Sequence, residues 1–190
     1  FFIKNSIFIQ AKGTHPIGLY LGNIFFYLII SFILFLPLHL SNLPKIKDYI
    51  KKHPWIILLL IAIFFIYFLG FRVEHEFNVH RSFFLRNQFL LFMVSTPLIK
   101  TLFFIPIIYA FLSHILIPLY DKKMYLIYPL AILFLLPSQL IEQRYLIIPL
   151  TLFLIFKKDE SSFISKINIA YFILLSLTIM YYISKYRLYY

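Results

Sequence analysis

Residues 17–40 read IGLYLGNIFFYLIISFILFLPLHL, and no side chain in this stretch carries a full charge at neutral pH. A helix of this length extends for about 36 Å at 1.5 Å per residue, and the hydrocarbon core of a bilayer is about 30 Å thick. Long uncharged apolar stretches of this kind are typical of helices that cross a membrane. The stretch therefore predicts a transmembrane helix.

Clusters of charge separate this stretch from five further apolar stretches, so the sequence predicts an all-α, polytopic transmembrane helix bundle. The six predicted spans, which form one domain over residues 1–190, are 17–40, 55–71, 102–119, 125–140, 145–156 and 167–183. Trp55 stands where an interfacial anchor is expected. The span 145–156 crosses only if it is tilted or joined to its neighbours. We interpret 89–99, interrupted by Ser95-Thr96-Pro97, as an interfacial or re-entrant helix.

The composition excludes a soluble domain of ordinary type. Apolar residues make up 62% of the chain and charged residues 13%, whereas soluble domains carry roughly a quarter charged residues. The mean hydropathy is +0.89. Without cysteine, the chain has neither disulfides nor thiolate metal ligands. The net charge of +11 is spread over loops between apolar spans, which indicates contact with a lipid surface rather than nucleic acid.

If the six spans alternate in direction, the loops sort onto two sides of the membrane. Lysine plus arginine then number nine on each side, so the positive-inside rule does not orient the chain. However, one side carries every arginine and the other carries lysines only. The planar guanidinium binds phosphate in a bidentate manner, which favours an anionic lipid-linked ligand on the arginine side. The arginines are Arg72, Arg81, Arg86, Arg144 and Arg187.

Two polar groups on this side have both a structural and a functional interpretation. Lys12-Gly13-Thr14-His15 precedes the first span, either as a lysine that reaches the interface beside a loop histidine or as a phosphate or sugar contact. Residues 74–86 hold Glu74-His75-Glu76, His80-Arg81 and Arg86, either as a solvated loop or as a substrate contact. Their spacing matches no standard metal motif such as H-E-x-x-H, so we expect no metal site.

The most informative group is Pro137-Ser138-Gln139-Leu140-Ile141-Glu142-Gln143-Arg144-Tyr145, which Pro149 follows. Glu142 and Arg144 lie two positions apart between two apolar stretches, at or inside the membrane edge. Ionisable residues in such places are costly and are functional candidates. The alternative is a structural ion pair at a break between helices.

The motif E-Q-R-Y-L-I-I-P at 142–149, preceded by L-P-S-Q-L, resembles one in the endoplasmic-reticulum dolichyl-phosphate-glucose alpha-1,2-glucosyltransferases. That family has a similar V-P-Q-x-L-L-E-F-R-Y followed by proline. It also has an N-R-H-Y-x-F-Y loop, matched here by 80–86, and a G-D-K-x-x-H motif, matched at Lys12 and His15. Arg81 and Arg144 are separated as in the family (144 − 81 = 63). The chain differs from the family at Gln10, Ala11, His80 and Ser82.

The resemblance implies a C-type, multi-span glycosyltransferase of the endoplasmic reticulum membrane that acts in N-linked glycosylation and needs no cofactor. It would transfer glucose from dolichyl-phosphate-glucose to the dolichyl-pyrophosphate-linked oligosaccharide, forming the terminal alpha-1,2 linkage. The catalytic residues stay unknown, because the family's catalytic carboxylate lies in an earlier lumenal loop. We expect the chain to be the later part of a longer protein. The substrate-binding candidates are Lys12, His15, Arg81, Glu142 and Arg144, and Glu142 is expected to orient Arg144.

Two other interpretations stay open at the level of sequence. A non-enzymatic lipid-linked-sugar flippase, or another polytopic transporter, would also place arginines at one mouth of the bundle. The differences at Ala11 and Ser82 also fit an inactive remnant of the enzyme. The predicted partners are the lipid-linked donor and acceptor and the membrane lipid, with no nucleic acid.

Overall fold

The computed structural model describes residues 18–80, 87–158 and 162–186. These residues are mainly α-helical and include no β-strand, and the predicted all-α class is confirmed for them. A short 3-10 helix, Lys122–Leu126, precedes α8. The helices are α1 Gly22–Leu34, α2 Leu36–Ser41, α3 Leu43–Lys52, α4 Ile56–Gly70, α5 Glu76–Val79, α6 Gln88–Met93, α7 Pro97–Leu116, α8 Ile127–Leu135, α9 Gln143–Phe156 and α10 Ser162–Tyr186.

Two of the described helices are long and apolar enough to cross a bilayer. They are Pro97–Leu116 and Phe163–Tyr182, each of 20 residues. Helices α3 and α4 pass the same test together as one broken unit, with a bend of 112° between them. The helices inside the other predicted spans are shorter, so the full set of six spans stays a prediction.

The first predicted span is interrupted at Phe35, and Pro37 explains the break. Proline has no backbone N–H, and its ring clashes with the carbonyl four residues earlier, which here belongs to Ile33. That carbonyl instead accepts a hydrogen bond of 2.6 Å from the Tyr171 hydroxyl of α10. Phe172 packs edge-on against Phe35 at 5.8 Å between ring centroids. The last helix thus docks on the break in the first.

We expect Tyr171→Phe to lower the free energy of unfolding by roughly 1–3 kcal/mol, because the Ile33 carbonyl loses its partner away from water. Thermal unfolding of the protein in detergent micelles measures the change. The control is Tyr181→Phe, since Tyr181 is exposed and its hydroxyl makes no hydrogen bond to the described chain. Equal melting temperatures for the two variants would contradict the docking role of Tyr171.

The core lies between α1 and α7 and is rich in aromatic rings. Phe25, Tyr67 and Phe71 are buried together, with the Phe25 and Tyr67 centroids 5.0 Å apart. The Tyr67 hydroxyl donates to the Lys100 carbonyl at 2.9 Å. In return, Lys100 Nζ donates to the carbonyls of Phe68 and Phe71 at 2.7 Å each. Lys100 of α7 thus binds carbonyls at the C-terminal end of α4 that α4 itself leaves unpaired.

Many of the lysines lie at one end of the helices, and Arg72 and Arg144 lie at the opposite end. Ile46 of α3 packs with Leu112 near the end of α7, and Lys158 N donates to the Pro118 carbonyl at 2.8 Å. This brings the loops around α3, Pro118 and Lys158 to one end, which we call the lysine end. The end that holds Arg72 and Arg144 is called the arginine end. The lysines of the lysine end are Lys45, Lys47, Lys51, Lys52, Lys122, Lys123, Lys157 and Lys158.

Candidate functional site

The segment 137–142 connects α8 to α9 at the arginine end and is not helical. Such a segment leaves its peptide groups without helical partners, and buried peptide groups need others. Leu140, Ile141 and Glu142 are all buried, at 4%, 2% and 4% exposure. Two asparagine side chains from distant parts of the chain supply the missing partners.

Asn78, in the short helix α5, forms two hydrogen bonds with one residue of the segment. Its Nδ2 donates to the Ile141 carbonyl at 2.8 Å, and the Ile141 N–H donates to Asn78 Oδ1 at 3.0 Å. The side-chain amide therefore takes the place of a neighbouring strand. Asn78 itself is fully buried.

Asn23 of α1 binds the same segment on both sides of Ile141. Its Nδ2 donates to the carbonyls of Leu140 at 2.9 Å and Ser138 at 3.1 Å, and the Glu142 N–H donates to its Oδ1 at 3.2 Å. Asn23, Asn78 and the segment 138–142 together are called the asparagine clamp. The clamp fixes the backbone from which Glu142 and Arg144 project.

Glu142 and Arg144 meet directly, as the sequence predicted. Arg144 Nε donates to Glu142 Oε1; the Glu142 side chain is 5% exposed and the Arg144 side chain 70%. The hydrogen bond to Glu142, and then the charge of that carboxylate, raise the pKa of Arg144 above its usual value. The buried carboxylate thus holds an exposed guanidinium at the start of α9. The other N–H groups of the Arg144 guanidinium can bind an anion.

The other predicted site residues lie outside the part of the chain that the structure describes. They are Lys12, His15 and Arg81, together with the divergent positions Ala11 and Ser82. Of the predicted substrate-binding set, the structure therefore brings together Glu142 and Arg144. Their contact fits the expectation that Glu142 orients Arg144, and their role in binding stays a prediction.

Gly22 opens α1 directly against the clamp. A Cβ atom at this position would lie 2.5 Å from Ile141 Cδ1 and 2.8 Å from Ile141 Cγ1, and Ile141 is itself buried. We expect Gly22→Ala to destabilise the protein by roughly 1–3 kcal/mol through overpacking. Thermal unfolding in micelles measures the change. Ile141→Val removes the nearer carbon, so adding it to Gly22→Ala should restore part of the loss; a larger combined loss would contradict the packing argument.

A second buried polar group, which the sequence did not indicate, lies between the helices at His39 and His114. Ser31 Oγ lies 2.8 Å from His114 Nε2 and 3.3 Å from His39 Nε2. His39 Nε2 also lies 3.2 Å from the Ser31 carbonyl, so it carries the proton there. The three residues link α1, α2 and α7 by polar contacts.

Among residues 18–80, 87–158 and 162–186, no group of three or more His, Cys, Asp or Glu side chains could hold a metal ion. His75, which the sequence placed beside two glutamates, instead caps α5. Its Nδ1 accepts a hydrogen bond from the Phe77 N–H at 3.2 Å. His75 therefore has a structural role as the N-cap of α5.

The chain matches no family model, no curated protein and no solved structure. The class of protein is therefore inferred from the residues of the chain itself. The two long apolar helices identify a membrane protein in contact with lipid, and the clamped Glu142–Arg144 pair is its candidate site.

Proposed function

We propose that this chain is part of a dolichyl-phosphate-glucose alpha-1,2-glucosyltransferase of the endoplasmic reticulum membrane. It would transfer glucose from dolichyl-phosphate-glucose to the dolichyl-pyrophosphate-linked oligosaccharide. The observation that carries the proposal is the Glu142–Arg144 pair, which stands in the family-like motif and is held by Asn23 and Asn78. Five hydrogen bonds with Asn23 and Asn78 fix the backbone that leads into the pair, so Arg144 is held in place before a ligand binds.

The pair fits the leaving group of this reaction. Dolichyl phosphate departs as an anion, and a preorganised cation lowers the energy of charge that develops on it. Arginine offers a planar fork of donors for phosphate oxygens. With Nε bound to Glu142, the terminal N–H groups of Arg144 are the ones available to the phosphate. Lys12, His15 and Arg81 are the further candidates for phosphate contact, by family resemblance.

In the proposed step, an acceptor hydroxyl oxygen attacks the anomeric carbon of glucose. The bond between that carbon and the phosphate oxygen breaks, and its electron pair stays on dolichyl phosphate. A carboxylate outside this chain would take the proton of the hydroxyl, as the family resemblance implies. Glu142 would act as a positioning residue, because it is buried and its Oε1 is bound to Arg144.

A flippase for lipid-linked sugars would use the same cationic end without breaking a bond, so the test must separate the two activities. The full-length protein is reconstituted in liposomes with radiolabelled polyprenyl-phosphate-glucose and lipid-linked oligosaccharide. The proposal predicts label in the oligosaccharide and loss of that transfer in Arg144→Ala. Label that moves between leaflets and stays on the donor would overturn the transferase in favour of the flippase. Label that does neither would overturn both.

A further inference from the structure

A small cleft of about 140 Å³ lies next to the asparagine clamp, at the arginine end. It is open to the surface between the start of α1 and the end of α4, with Gln139 as part of its wall. The polar side chains around it belong to Arg72, Glu74 and Gln139, and Tyr20 contributes an aromatic ring. Gly22 and Gly70 also line it, together with Leu19 and Leu21.

The asparagine clamp also fixes the wall of this cleft. Gln139 lies between Ser138 and Leu140, and the carbonyls of both neighbours accept hydrogen bonds from Asn23. Gly22 directly precedes Asn23, and the Tyr20 N–H donates to the Leu136 carbonyl at 2.8 Å. The same asparagine therefore positions the cleft and the Glu142–Arg144 pair relative to each other.

The two charged side chains that line the cleft have opposite signs. Arg72 Nη1 lies 3.6 Å from Glu74 Oε1, and both side chains are more than half exposed. Arg72 Nε is already bound to the Leu69 carbonyl at 2.9 Å. A phosphate here would face the Glu74 carboxylate, and a cation would face the Arg72 guanidinium. The cleft suits a neutral ligand that both donates and accepts hydrogen bonds.

We propose that this cleft binds a single sugar ring of the lipid-linked saccharide. Hydroxyl groups would bond to Gln139, Glu74 and Arg72, and the apolar face of the ring would lie against Tyr20. The identity of the saccharide rests on the proposed function, whereas the neutrality of the ligand rests on the cleft. Gln139 becomes a specificity-determining residue.

The test measures weak binding of methyl α-glucopyranoside to the full-length protein in lipid nanodiscs, by saturation-transfer NMR. Gln139→Leu should weaken binding at least tenfold, because the amide loses its hydrogen bonds to the hydroxyl groups. The matched control is Gln143→Leu, an exposed glutamine at the start of α9, which should bind like the wild type. Unchanged melting temperatures establish that both variants are folded.

A charge exchange gives the second arm of the test. Glu74→Gln leaves Arg72 without its counter-charge, so the cleft should come to prefer glucose 1-phosphate over methyl glucopyranoside by at least tenfold relative to the wild type. Arg72→Gln should shift the preference in the opposite direction. Wild-type protein that shows no binding, or binding that Gln139→Leu leaves intact, would overturn the sugar cleft. Sugar binding at Gln139 without any transfer in the liposome assay would overturn the transferase and leave the cleft standing.

Discussion

Asn78→Leu is expected to destabilise the protein by roughly 2–6 kcal/mol and to abolish its activity. Leucine has a similar size and cannot form the hydrogen bonds that Asn78 makes with both peptide groups of Ile141. Each buried backbone group left without a partner costs about 1–3 kcal/mol. Ile141 lies directly before Glu142, so the loss should also release the carboxylate that holds Arg144. Thermal unfolding in micelles and sugar transfer in liposomes measure the two effects.

The control for this experiment is Asn87→Ala. Asn87 caps α6 by accepting a hydrogen bond of 3.1 Å from the Leu90 N–H, and loss of such a cap costs about 1 kcal/mol. The fall in melting temperature should therefore be clearly smaller than for Asn78→Leu, and transfer should persist. An Asn78→Leu protein that melts and transfers like the wild type would show that the clamp is unnecessary.

The second large effect is expected from Arg144→Ala, which should lower the rate of glucose transfer by roughly a hundredfold or more. Removal of one preorganised donor from a site of developing negative charge has effects of this size. The side chain is largely exposed, so its truncation removes little packing. The truncation also leaves the buried Glu142 carboxylate without its partner, which should lower stability. The rate at saturating donor is therefore compared per amount of folded protein, and the loss should remain after that correction.

Arg144→Lys separates charge from geometry. Lysine keeps the positive charge and lacks the planar fork, so its rate should lie between those of the wild type and Arg144→Ala. Lys158→Ala removes an exposed cation at the lysine end and should transfer at the wild-type rate. If Lys158→Ala and Arg144→Ala lowered transfer equally, the effect would arise from net charge and not from a phosphate site.

The parts of this account that the sequence predicted are local in the chain. The contact between Glu142 and Arg144 follows from two complementary charges that lie two positions apart between apolar stretches. The helical class follows from the length of the uncharged stretches, because only helices and closed barrels satisfy the backbone in lipid. The break at Phe35 had a visible cause in Pro37, although that stretch was predicted as one span.

The asparagine clamp could not be predicted because it joins residues that are far apart in sequence. Asn23 and Asn78 are 117 and 63 positions from the carbonyls they bind, and an isolated asparagine in an apolar chain has many possible partners. The contact of Ser31 with His114 spans 83 positions and has the same difficulty. Apolar residues are so abundant in this chain that their spacing does not show which helices pack against each other.

The decisive measurement for glucose transfer is the structure of the lipid-linked glycan in cells that lack the last glucosylation step. Expression of the full-length wild-type protein should add one terminal alpha-1,2-linked glucose to that glycan, and equal expression of Arg144→Ala should not. A wild-type protein present at normal levels in the membrane that adds no glucose would contradict the proposed function.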